Sequence, residues 1–173
     1  MDEILTGFGR TGRWFACEHS ATVPDLVCLG KALTGGFPLS ACVGNAELMD
    51  AAWPKSTGEA IHTSTFLGHP VGCAMALAQI KEISARGLVE RSAARGRLLL
   101  QLLSEVTPPR GYQTSARGLG LLAGLEITRL AGEPAPRPTL RTIESMLRRG
   151  FILLPEGEDS NVISFSPPLV IAE

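Results

Sequence analysis

The sequence predicts an α/β part followed by a small α+β unit, and three observations carry that expectation. First, "DLVCL" at 25–29 and "LSACVG" at 39–44 are continuous apolar runs bounded by Pro and Gly. They read as short strands buried on both faces, as in an α/β sheet. Second, two stretches of good helix formers follow, at 70–87 and 88–106. Third, the pattern changes beyond Thr107-Pro108-Pro109, where short strand-like segments flank a single helix. The expected boundaries are 1–85 for the α/β part and 86–173 for the α+β unit.

Each element has a local reason. The opening "MDEILTGFGRTG" is the end of a strand running at once into a glycine-rich turn. "NAELMDAAW" at 45–53 reads as a helix with Asn45 as its N-cap. After the hydroxyl-rich loop "STGEAIHTSTFLGHP", Pro70 stands where a helix begins, and Gly87 closes it. In 88–106 the leucines repeat at three- and four-residue steps. "GLGLLAGLEIT" at 118–128 is strand-like, "EPAPRP" at 133–138 a loop, and "TLRTIESMLRRG" a helix. "FILLPEG" and "NVISF" are two more short strands.

Composition narrows the function. Of 173 residues, 45% are hydrophobic and 19% charged, and sixteen basic against seventeen acidic residues leave a formal net charge of −1. That balance offers no electrostatic basis for a nucleic-acid or anionic-membrane partner. No apolar run approaches the roughly 20 residues that cross a bilayer. Cys17, Cys28, Cys42 and Cys73 form no CxxC pair and have no histidines at ligand spacing, so no metal site is expected. Three of the four lie in apolar segments, which favours buried, reduced thiols and a cytoplasmic setting.

One lysine stands out. In "PDLVCLGKALTGGFPLSACVG", Lys31 follows an apolar strand and precedes a glycine-rich turn. Three readings are open: a solvated loop charge, an anion-binding point charge, or a nucleophilic amine. A Walker A loop is not among them, because the GxxxxGK[ST] spacing is absent. The nucleophile reading rests on position, since open α/β sheets bind ligands beyond the C-terminal ends of their strands.

Read together, "DEILTGFGRTGRWFACEH", "VPDLVCLGKALTGGFPLSACVG" and "HTSTFLGHPVGCAMALA" occur in order and resemble the second half of the class III aminotransferases of ornithine, acetylornithine and 4-aminobutyrate type. The C-terminal "NVISFSPPLVI" is similar to that family's closing segment. The resemblance implies fold type I of the pyridoxal 5′-phosphate-dependent transferases. Residues 1–85 would then be the end of the large cofactor-binding domain and 86–173 the small domain, with both incomplete. It implies that Lys31 holds the cofactor as a Schiff base and later moves a proton. Asp2 matches the aspartate beneath the pyridine nitrogen, and Ser64 with Thr65 the cofactor-phosphate site. In this family the threonine serves the neighbouring subunit, so a homodimer with shared sites is implied, together with an amino donor and a keto-acid acceptor. His62 and His69 receive no catalytic role. Arg10 is read as reaching an anion or, equally, as a structural salt bridge.

Two departures bear on chemistry. Leu5 stands where many members carry Gln beside the cofactor's phenolic oxygen, and an apolar residue also occurs there in the amine- and ω-amino-acid-using branches. Ser164 stands where members acting on α-amino acids carry the arginine that forks onto the substrate carboxylate. The resemblance therefore points toward amine or ω-amino-acid donors, with decarboxylation or racemisation as alternatives inside the family. The resemblance begins part-way along the family's length, without its glycine-rich phosphate loop. It also stops soon after "PPLVIAE", where the family usually continues with a final helix. The expectation is either a fragment, from truncation or a misplaced start, or a chain that another polypeptide completes, with a catalytically silent remnant or interaction subunit as the reading from another class. A partial sheet is expected to leave strand edges and apolar surface uncovered.

Overall fold

The computed structural model describes residues 1–59 and 62–172. The chain divides into two compact units, one of Met1–Gly9 with Arg13–Val89 and one of Arg10–Gly12 with Glu90–Glu173. Ala60, Ile61 and Glu173 lie outside the described residues.

In the first unit, β1 (Leu26–Leu29) pairs antiparallel with β2 (Ala41–Gly44). On its other side β1 meets the chain start in parallel. Asp2 bridges Cys28, with Cys28 N–H donating to Met1 O and Glu3 N–H to Cys28 O, both at 2.9 Å. Helix α1 (Ala46–Ala52) begins as its cap requires, because Asn45 Oδ1 accepts from the N–H groups of Glu47 and Leu48. Helix α2 (Pro70–Ala85) starts on Pro70, and Gly87 beyond its end takes a positive φ of 56°. The apolar runs do become strands, but not strands buried on both faces. Leu26 and Cys28 of β1 and three of the four residues of β2 are exposed, because this unit pairs the two strands without layering helices over both sides.

The second unit contains helix α3 (Leu88–Ser104) from Glu90 onward, strands β3 (Tyr112–Leu119) and β4 (Leu122–Arg129), helix α4 (Pro136–Arg148), and strands β5 (Leu154–Glu156) and β6 (Val162–Phe165). Its sheet runs β3-β4-β6-β5, antiparallel throughout. Ala123, Leu125 and Ile127 alternate along β4 and join Leu103, Ala135 and Ile163 in one core, onto which Leu99, Ile143 and Phe165 pack. The strand-like segment at 118–128 is in fact a hairpin turn and a strand. The polar alternation of Gln113–Arg117 conceals β3, and Gly120-Leu121 is the turn. Helix α4 starts at Pro136, inside the expected loop, because a proline is tolerated in a helix's first turn.

Close backbone contact explains why Arg10–Gly12 belong with this unit. A Cβ on Gly120 would lie 2.3 Å from the Thr11 carbonyl carbon, and one on Gly96 would lie 2.1 Å from Gly120 O. Only glycine fits either place. Arg10 Nη1 donates to the carbonyls of Leu121 (3.1 Å) and Pro167 (2.5 Å), and Leu121 N–H donates to Arg10 O at 2.9 Å. Among the described residues the partners of this guanidinium are carbonyls rather than the salt-bridge carboxylate expected, and burial lowers its pKa.

Candidate active site

The strand end that carries Asp2 is anchored by the residue beside it. Successive strand residues face opposite ways, so Asp2 outward means Glu3 inward. Glu3 is 0% exposed, and its carboxylate accepts from Cys17 N–H (2.8 Å), Ala16 N–H (3.0 Å) and the Thr6 hydroxyl. Burial raises its pKa, but the hydrogen bonds from Thr6, Ala16 and Cys17 outweigh burial and leave the group below its ordinary value of 4.5. Cys17 feels the reverse, since burial and then the Glu3 charge push its thiol up. The Asp2 carboxylate accepts from Ile4 N–H at 2.9 Å, which fixes its direction while the side chain stays exposed.

Lys31 lies three residues beyond Cys28, the bridge partner of Asp2, so the two expected site residues occupy neighbouring strand ends. Lys31 opens a short 3-10 turn, Lys31–Leu33, with a positive φ of 42°. That conformation is uncommon outside glycine and is found where surrounding structure over-determines it. The surroundings here are identifiable. Leu33 N–H donates to Gly30 O at 2.9 Å, and the buried Thr34 hydroxyl donates to Phe37 O at 2.5 Å. Phe37 then packs where Gly72 of α2 leaves room, and its ring meets His69 at 5.1 Å. The Lys31 side chain is exposed, so the described residues do not supply the desolvation that the nucleophile reading invokes.

Ser64 and Thr65 precede α2 on an exposed loop. Ser64 makes a turn, its Oγ accepting from Phe66 N–H (3.4 Å) and its carbonyl from Leu67 N–H (3.1 Å). The flanks of this loop, His62 and Leu67, share a cleft of about 690 Å³ with Ile4, Cys28 and Cys42. The geometry thus gathers Asp2 and Lys31 on one strand pair and brings the segment holding Ser64 and Thr65 to the same unit. The His62 ring lies 6.4 Å from that of Trp53, tilted by 57°, which fits a packing role, and His69 is the N-cap residue of α2. In the second unit, Ser164 pairs with Gly124 of β4 and Leu154 of β5 and is half-buried.

Sequence reasoning missed Glu3 and misplaced the cysteines. The period-two alternation after Asp2 was the available signal for Glu3. Among the four cysteines only Cys17 is buried; Cys28, Cys42 and Cys73 are exposed, because the apolar segments that hold them are not covered.

A carboxylate and an amine at adjacent strand ends, and two hydroxyls on the loop before a helix, are group types that suit a pyridine nitrogen, an aldehyde and a phosphate. The whole chain, residues 1–173, matches the family model for aminotransferase class-III. The chain belongs to that family. It is 38% identical to the 4-aminobutyrate aminotransferase of Mycobacterium leprae over 173 residues, covering 99% of this chain and 38% of the relative. Among solved structures, it matches a phospholyase from Arthrobacter in complex with phosphoethanolamine with TM-score 0.89 and 32% identity, covering 99% of this chain and 40% of that one. It also matches the omega transaminase of Pseudomonas jessenii in complex with PMP, with TM-score 0.86 and 29% identity, over 99% of this chain and 39% of that one. The class III member therefore spans about two fifths of the length of its relatives, and its fold is that of the pyridoxal-phosphate-dependent transaminases. Class III aminotransferases depend on pyridoxal phosphate.

Proposed function

We propose that this chain supplies the cofactor-holding lysine and the ring-facing carboxylate of an aminotransferase that moves an amino group from a donor to a keto acid. The observation that carries the reading is the parallel bridge Asp2–Cys28, which puts Asp2 and the strand end leading to Lys31 side by side. Pyridoxal phosphate, when bound, supplies an aldehyde that takes up amines and a ring that accepts electrons. Asp2 would hold a proton on the ring nitrogen, and Glu3, locked by three hydrogen bonds, keeps the Asp2 backbone in place. Lys31 Nζ would hold the cofactor and would carry the proton at the substrate carbon. Ser64 and Thr65 bind phosphate through hydroxyls and N–H groups. The exposure of Thr65 suits service to a second copy, which makes the working form a homodimer with shared sites.

Ser164 points the donor toward terminal amines and ω-amino acids. It cannot form the bidentate, charge-assisted contact that an arginine gives an α-carboxylate. A donor panel run on the full-length parent enzyme and on its Ser164→Arg variant tests this: the parent prefers ω-donors and the arginine variant gains α-amino acids. Best use of α-amino acids by the parent, unaltered by Ser164→Arg, would refute the donor reading alone. Lys31→Ala tests the chemistry itself, and near-parental turnover in that variant would sink it. The likeness to a phospholyase supports a second reading, in which the same lysine and aspartate serve another pyridoxal-phosphate reaction. Product analysis separates the two, because transfer consumes a keto acid stoichiometrically and elimination, decarboxylation or racemisation does not.

A further inference from the structure

We propose that Cys28 and Cys42 are a redox-responsive pair, oxidised by low-molecular-weight disulfides to a disulfide that crosses β1 and β2. This inference is independent of the cofactor reading and rests on strand geometry. The register sets Cys28 directly opposite Cys42. In an antiparallel pair, a residue's N–H and C=O point to the same side, and facing residues alternate between bonded and non-bonded positions. Cys28 spends both groups away from β2, its N–H on Met1 O and its C=O on Glu3 N–H. Cys28 and Cys42 therefore form a non-hydrogen-bonded pair, the closer kind, with Cα atoms about 4.5 Å apart. A disulfide spans Cα separations of roughly 4.4–6.8 Å, so the backbone is already within range.

The other thiols lack this arrangement. Cys17 is buried, and its burial and the Glu3 carboxylate make the thiolate harder to form. Cys73 is exposed on α2. Cys28 and Cys42 are both free, exposed and open to the same 690 Å³ cleft, which admits a small oxidant. Packing, the usual reason for cysteine in a strand, does not account for two exposed thiols facing each other.

The chemistry balances without a metal. One cysteine thiolate attacks a sulfur of the small disulfide, forming a mixed disulfide and releasing one small thiol. The second thiolate attacks the protein sulfur of that mixed disulfide, closing the cross-strand bond and releasing the other small thiol. Two electrons pass from the pair to the oxidant, and the two protein protons end on the two released thiols. An excess of small thiol reverses both steps. Because Cys28 bridges Asp2 and leads through Leu29 and Gly30 to Lys31, the bond ties β2 to the strand that both site residues share.

The test equilibrates the whole chain with oxidised and reduced glutathione at stepped ratios, quenches in acid, alkylates, and counts free thiols by mass. The expected result is joint loss of the Cys28 and Cys42 thiols with no glutathione on either, glutathione mass being confined to the exposed Cys73. Tryptic fragment 14–31 should be joined to fragment 32–55, with Cys17 alkylated within the first. In Cys42→Ser, Cys28 should instead retain one glutathione. Cys28→Ser should behave reciprocally, and Cys73→Ser should leave the two-thiol loss intact. Alanine variants at positions 28 and 42, checked by circular dichroism, should repeat the pattern and separate redox loss from misfolding. Four persistent thiols under excess oxidised glutathione, or a bridge that includes Cys17 or Cys73, would overturn the proposal.

Discussion

In the unit of residues 90–172, β4 alternates buried and half-buried positions, and its inner face closes on one apolar core. In the unit that carries Lys31, three of the four residues of β2 are exposed, and Val43 among them is 56% exposed. Strand β6 of the second unit is as short and apolar as β1 and β2 yet has two buried residues, so composition alone does not explain the contrast. The difference is in how each strand is held. The second unit gives its sheet a helical cover and sets glycines where backbones touch, at Gly96 and Gly120. The first relies on local polar anchors, with Glu3 fixing the chain start and Thr34 fixing the loop beyond Lys31. Its apolar surface includes Phe66, Leu67 and Val71. A unit organised this way leaves Asp2 and Lys31 exposed.

Truncation experiments sharpen the contrast. Ile163, 2% exposed in the core of the second unit, should cost about 2–5 kcal/mol on change to Ala, read as a lowered urea midpoint with unchanged slope. A loss under 1 kcal/mol would mean that this core is looser than its burial implies. Gly96→Ala should cost about 1–3 kcal/mol or more, because its Cβ would meet Gly120 O at 2.1 Å. Retention of parental stability there would show that the hairpin and α3 can separate freely.

Glu3→Gln should cost about 1–3 kcal/mol near neutral pH, since it weakens acceptance from two N–H groups in a buried place. The pH dependence has a definite sign. The folded-state pKa of Glu3 is lowered, so its contribution is full above the ordinary 4.5 and fades as pH falls through the folded value. Thermal midpoints measured from pH 7 downward should fall more steeply for the parent than for the Gln variant, and parallel curves would remove Glu3 as the anchor. Val43→Ala, at an exposed strand position, should shift stability by no more than about 0.5 kcal/mol, which the same urea titration reads.

Much of this was legible in the chain. Asn45, Pro70 and Gly87 marked helix ends through chemistry that operates within one turn, and local signals survive whatever surrounds them. The β3–β4 hairpin was not legible, because Gln113–Arg117 alternates without an apolar face and Gly118 resembles a strand interior. Burial of β1 and β2 was misjudged for a different reason. Apolar runs state what a strand tolerates, whereas cover depends on partners that pattern alone does not locate. Ordered motifs singled out Asp2 and Lys31, which lie at neighbouring strand ends, while Glu3 and the facing cysteines emerged only from register. A cross-strand pair separated by thirteen residues leaves no periodic trace.

The most direct test of the central claim uses the fact that the chain has only three lysines, Lys31, Lys55 and Lys81. Pyridoxal 5′-phosphate is added to the protein, the carbon–nitrogen bond is reduced with borohydride, and the label is mapped by peptide mass. The account predicts label concentrated on Lys31, and a marked fall at that position alone in Asp2→Asn. Equal labelling of the three lysines, indifferent to Asp2, would contradict it.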